Sequence, residues 1–162
     1  MIDFLTKIGV PGAYAGDTWL FLVFVVVGMA LLVVINKKNL GALILSVYVA
    51  YVILSFAYFI PGEGGLKAVF FGVLIWLCYT GLKKMFNFSI KGKKIIVWAQ
   101  TLFLSLLVVG MISSMSLDWF SAKELQDFFT PFSKKMLISE NAKLIWTVLP
   151  FLSLFLMKKH KN

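Results

Sequence analysis

Five blocks of apolar residues, each at least sixteen residues long and almost free of charge, restrict what this chain can fold into. They run over Trp19–Ile35, Leu40–Ile60, Leu66–Leu82, Ile95–Leu117 and Ala142–Met157. A water-soluble domain is about half apolar and places its apolar residues at a helical or strand period. Here 60% of 162 residues are hydrophobic, the mean hydropathy is +0.92, and the apolar residues are contiguous. Such runs are the pattern of bilayer-spanning helices. At about 1.5 Å per residue the blocks measure roughly 26, 32, 26, 35 and 24 Å, against a hydrocarbon core of about 30 Å. The expected fold is an all-α integral membrane domain over residues 1–162 with five transmembrane helices.

What separates the blocks sets their direction. Asn36-Lys37-Lys38-Asn39 leaves room only for a tight hairpin, and Pro61-Gly62 stops the second block before Glu63, Gly64 and Gly65. The stretch Lys83–Lys94, KKMFNFSIKGKK, holds five lysines and no acid between the third and fourth blocks. Charge of that kind stays on the cytoplasmic side of a membrane. With five spans, that side also receives Lys37, Lys38 and the tail lysines Lys158, Lys159 and Lys161. Lys7, Lys67, Lys123, Lys134, Lys135, Lys143 and all seven acids fall on the other side. The amino terminus is therefore expected outside and the carboxy terminus inside a bacterial cytoplasmic membrane. Placing the last block on the surface gives four spans, moves the tail lysines outside and weakens the bias. Asp3 and Asp17, rather than a basic cluster, precede the first block, which argues against a secretory signal.

After the fourth block the period changes. Ser121-Ala122-Lys123-Glu124 is a capping box, with Phe120 and Leu125 placed for a hydrophobic staple. Leu125, Phe128, Phe129, Phe132 and Met136 then recur at helical spacing opposite Lys123, Glu124, Gln126 and Asp127. This predicts an amphipathic interfacial helix over residues 121–137 that Thr130-Pro131 can kink or restart. Ser139 is an N-cap for the last block, whose ends Lys143 and Lys158 can snorkel.

Small residues mark faces where helices can approach closely: Ala42, Ser46, Ala50 and Ala57 in the second block, Ala68 and Gly72 in the third. Gln100, within the fourth block, is placed to hydrogen-bond a neighbouring helix. Lys83, Lys84, Lys91, Lys93 and Lys94, interleaved with Phe86, Phe88 and Ile90, are expected to anchor anionic lipid headgroups. The expected partners are thus membrane lipids and other membrane proteins or a second copy. Nucleic acid is not among them, because every basic residue is lysine and guanidinium contacts are absent.

Catalytic residues are not found. No Asp, Glu, Lys or His lies at mid-depth in any block, the one histidine, His160, sits in the tail, and Cys78 is alone in an apolar run. No metal-ligand spacing, phosphate-cradling glycine loop or cofactor motif is present, so no cofactor is expected.

The hairpin Asn36–Gly41, the lysine loop with Gly92, and the stretch Asp118–Met136 together resemble the layout of the colicin V production protein family of bacterial inner-membrane proteins. The resemblance covers about Trp19 to Met136. The family's basic turn is Arg-Gly-like where this chain has lysines and asparagines, and the short fifth span is a further departure. What the resemblance implies is a role in export or envelope homeostasis without a defined biochemical activity. The expected function is a non-enzymatic scaffold or accessory subunit of an envelope or export assembly. Two other classes stand beside it: a holin-like pore former using Gln100 and the serines of the fourth block, and an outer-interface enzyme using Asp118 or Asp127.

Overall fold

The computed structural model describes residues 12–35, 37–57, 64–85, 94–121 and 129–158. Among them are six α-helices and no strand. Helix α1 covers Gly12–Val34 and a single 3-10 turn covers Lys37–Asn39. Helices α2, α3 and α4 cover Leu40–Phe56, Gly64–Met85 and Lys94–Leu117. The short α5 spans Pro131–Leu137 and α6 spans Glu140–Lys158.

Helix α4 is the centre of the bundle. It packs against α1 and α6 along its length and also touches α2, α3 and α5, while α2 and α3 form a closely packed hairpin. The core follows from helical spacing on two faces. Leu40, Leu43, Ile44, Val47, Ala50 and Leu54 of α2 meet Leu104, Val108, Met111 and Met115 of α4, with Phe71 of α3 closing one side. Glycine sets two approaches to α4. A Cβ on Gly28 of α1 would come 2.8 Å from Cδ2 of Leu106, and Gly110 leaves the space in which the indole of Trp146 lies.

The long helices alternate in direction. The start of α3 meets the end of α4, where a Cβ on Gly64 would lie 2.7 Å from the carbonyl oxygen of Trp119. Asp17, early in α1, bonds Thr130 and Ser133, and Asp118 pairs with Lys143 early in α6. These residues share one end of the bundle, called the outer end below. At the opposite, inner end the Lys37–Asn39 turn meets Tyr79 near the end of α3.

By length and composition two of the helices can cross a membrane, Gly64–Met85 and Ile95–Leu117. Half of the apolar stretch of the second is buried against only 6% in the first, so α4 is a core helix and α3 a peripheral one. The five-span count, and equally the four-span one, leans on shorter elements. The apolar parts of α1 and α2 are Leu20–Leu31 and Leu40–Phe56, because α2 ends at its Ala57 cap instead of running to Ile60. Helix α6 is diluted by Glu140, Lys143 and an internal Pro150.

Two other expectations change. Helix α1 begins at Gly12, about two turns before the apolar block at Trp19, because nothing between them stops a helix. The continuous amphipathic helix over 121–137 is not formed. Ser121, Phe129 and Thr130 are non-helical, and the helix begins only at Pro131. A proline excludes the preceding residue from the helical region. Thr130 is accordingly extended, with ψ 162°, and its hydroxyl caps the N–H of Ser133 at 3.3 Å. Leu125 and Phe128, with Glu124 and Asp127, lie outside the described residues. Phe129 is half-buried, Phe132 and Met136 are exposed, and α5 packs inward through Ser133 and Leu137.

Candidate functional site

The polar side chains collect at the two ends of the bundle. At the outer end the carboxylate of Asp118, just past α4, forms an ion pair with Nζ of Lys143, both about a third exposed. Beneath this group sits an aromatic cluster. Trp119 stacks on Tyr51 with centroids 6.1 Å apart and meets Phe71 edge-on at 5.1 Å, while Tyr51 meets Phe71 edge-on at 6.5 Å. Stacked and edge-on pairs contribute about 0.5–1.5 kcal/mol each beyond the area they bury. Three helices are joined there by rings.

The segment that leads from α4 to α6 is fastened at several points. Asp17 of α1 accepts hydrogen bonds from the hydroxyls of both Thr130 and Ser133. Ser114 of α4 donates to the carbonyl of Leu137 at 2.8 Å, and the indole N–H of Trp146 donates to the carbonyl of Met136 at 2.9 Å. Ser139 caps α6 through the N–H of Ala142 at 3.3 Å. Lys143, expected to snorkel, is instead held by Asp118, because α6 starts beside the end of α4.

At the inner end the side-chain amide of Asn39 reaches the Tyr79 hydroxyl at 3.5 Å. The ammonium of Lys83 lies 5.8 Å from the centroid of the Tyr79 ring. Lys84 is exposed beside it. Lys91 and Lys93 lie outside the described residues, and Lys94 is the first residue of α4.

The interior hydroxyls turn back on their own helices. Ser46 donates to the carbonyl of Ala42 at 2.6 Å, Thr101 to Val97 at 2.6 Å, Ser105 to Thr101 at 2.9 Å and Ser153 to Leu149 at 2.8 Å. No buried side-chain polar atom among the described residues lacks a partner. No group of three or more metal-ligating side chains is found among them either. A hydroxyl already bonded to its own helix presents little polarity to a passing ion or substrate. At the outer end the carboxylate of Asp118 is paired with the ammonium of Lys143.

The sequence-derived packing residues divide. Ala42, Ser46 and Ala50 are fully buried between α2 and its neighbours. Ala57 is half-buried at the end of α2, and Ala68 is half-buried on α3. Gly72 is exposed, and a Cβ there would meet nothing within 4 Å. It lies about 100° around the helix from Phe71, the residue that faces α2, and this removes it from the packed interface. Gln100 is half-buried. Besides the Asp118–Lys143 and Asn39–Tyr79 contacts, described polar ties come from Tyr48, Ser114, Trp146 and Asp17, and the sequence marked none of these four as a packing residue. The Tyr48 hydroxyl donates to the Thr147 carbonyl, three residues before Pro150. Pro150 lacks the N–H that would bond the carbonyl of Trp146 four residues back, and Tyr48 bonds the next carbonyl along.

No family model matches the chain, and no curated protein or solved structure matches it.

Proposed function

We propose that the chain is a five-pass protein of a bacterial cytoplasmic membrane, amino terminus out and carboxy terminus in, acting without catalysis as a scaffold or accessory subunit of an envelope or export assembly. The observation that carries the membrane reading is the uncovered apolar face on every long helix. Examples are Val33 and Val34 of α1, Val69 and Trp76 of α3, and Leu144 and Leu152 of α6, all more than half exposed. Contiguous apolar surface of that extent is not stable in water, whereas lipid tails solvate it. The alternating helix directions support α1, α2 and α6 as spans beside α3 and α4: Asp17 early in α1 and Lys143 early in α6 are both tied to the outer end, and the turn before α2 is tied to the inner end. The lysines of the inner end, against Asp17, Asp118 and Glu140 at the outer end, support the orientation.

The scaffold reading rests on what the interior lacks in free polarity. Of the buried hydroxyls of α4, Thr101 and Ser105 bond their own helix and Ser114 bonds the carbonyl of Leu137, which favours a packed structural bundle over a water-filled path. The scaffold reading also agrees with what the resemblance of layout to the colicin V production family implies. Purification of the tagged chain in mild detergent should recover stoichiometric membrane-protein partners. Recovery of the bare chain, together with ion conductance in reconstituted liposomes, would replace the scaffold by a pore. Digestion of a carboxy-terminal tag by protease added outside intact cells would remove the five-pass topology.

A further inference from the structure

One face of α3 remains uncovered. Gly65, Val69, Gly72, Trp76, Tyr79 and Lys83 follow one another at steps of three and four residues, which places them in a single line along the helix. This line runs beside the packed side, which is marked by Gly64 and Phe71, the helix's two buried residues, and at its inner end Tyr79 is half-buried against the core. Val69 and Trp76 are 68% and 63% exposed, and a Cβ at Gly65 or Gly72 would meet nothing within 4 Å. The result is a shallow apolar trough beside the indole of Trp76. Its inner end is closed by three hydrogen-bonding groups: the Asn39 amide, the Tyr79 hydroxyl and the Lys83 ammonium.

We infer that this line is the binding site of a single anionic phospholipid, with its phosphate on Asn39, Tyr79 and Lys83 and an acyl chain in the trough over Gly72. The inference rests on the membrane reading proposed above. Charge complementarity selects the ligand. The inner end holds Lys37, Lys38, Lys83, Lys84 and Lys94, whereas the described acids Asp17, Asp118 and Glu140 belong to the outer end. The Tyr79 oxygen accepts from Asn39, which leaves its own O–H to donate. Asn39 keeps a second N–H, and the exposed Lys83, its ammonium over the ring, carries three. A phosphate monoester or diester oxygen satisfies all three donors at once, and charge-assisted bonds of this kind are the strong ones. The distance from Lys83 down to Gly72 is about 16 Å along the helix, enough for most of an acyl chain in one leaflet.

The test is native mass spectrometry of the full chain in detergent, titrated with phosphatidylglycerol or with phosphatidylcholine of the same acyl chains. Phosphatidylglycerol should be retained as a one-lipid adduct in preference to phosphatidylcholine. Lys83→Gln should weaken the adduct by about tenfold, the loss of one charge-assisted bond. Gly72→Leu, which fills the trough without touching the packed side, should weaken both lipids. Lys135→Gln, at the outer end, should change neither. Equal retention of the two lipids, or adducts indifferent to Lys83→Gln and Gly72→Leu, overturns the proposal. So does a two-chain species abolished by Gly72→Leu, which would make a second copy the occupant. Recovery of the chain in the soluble fraction without detergent would instead remove the membrane reading itself.

Discussion

The indole of Trp146 lies against the bare backbone of Gly110, where a Cβ would run into the ring edge. The ring is held there from two further sides. Phe24 of α1 approaches it with centroids 6.4 Å apart, and its N–H is bonded to the carbonyl of Met136. One tryptophan therefore ties α1, α4, α5 and α6 together, and it does so only because position 110 has no side chain.

Gly110→Ala should therefore destabilise the bundle by about 1–3 kcal/mol, the usual cost of overpacking, since the indole has nowhere to retreat. Gly28→Ala offers a control in the same interface. The atom it meets is the tip of Leu106, a flexible side chain, and alanine gains about 1 kcal/mol of helix propensity over glycine. Its effect should stay within about 1 kcal/mol of zero. Thermal unfolding of both variants in one detergent compares them directly, and equal losses would contradict the role given to Trp146.

Asp17 should act as a clasp on α5. Asp17→Ala leaves the hydroxyls of Thr130 and Ser133 without their shared acceptor, a loss of about 1.5–3 kcal/mol for bonds to a charged group. The loosening should be local. Hydrogen exchange should accelerate over residues 131–137 and remain unchanged in the α2–α3 hairpin. Uniform acceleration across both regions would mean that Asp17 supports the whole fold rather than this clasp.

The Asp118–Lys143 pair should matter less than its position suggests. Both side chains are about a third exposed, and such pairs are worth about 0–1 kcal/mol. A double-mutant cycle with Asp118→Asn and Lys143→Met should return a coupling below about 1 kcal/mol. Asp118→Asn should also leave cellular function intact, and complete loss of function with the fold preserved would point to chemistry at the outer interface.

Tyr48→Phe removes the bond from α2 to the Thr147 carbonyl. Interhelical bonds in membrane proteins average about 0.6 kcal/mol and reach about 1.7, so a loss in that range is expected. Thermal unfolding of Tyr48→Phe in detergent reads the loss, and a cost well above that range would mean that Tyr48 does more than bond one carbonyl.

Helix existence was legible in the sequence and helix facing was not, for one physical reason. The long helices are apolar nearly all round, so burial leaves no period behind it. Small residues were the remaining signal. They mark the buried face of α2 at Ala42, Ser46 and Ala50, but the same signal at Gly72 marks a surface turned away from the bundle. Gly28 and Gly110 carry the closest approaches to α4 and look, in sequence, like isolated glycines in apolar runs. The outer acids and Lys143 were visible one by one, whereas their pairing depends on how α4, α5 and α6 fold back. Thr130-Pro131 reads in the sequence as either a kink or a restart, and the extended Thr130 makes it a restart.

The contact of Gly64 with the backbone of Trp119 and Phe120 joins the beginning of α3 to a segment made much later in synthesis. The α2–α3 hairpin can close on its own, but Gly64 has no seat until the whole of α4 has left the ribosome. On the five-pass reading proposed above, the hairpin spends an interval in the bilayer with Gly64 uncovered. A chain truncated before Trp119 should insert and yet stay loose, the sort of substrate that membrane quality-control proteases remove.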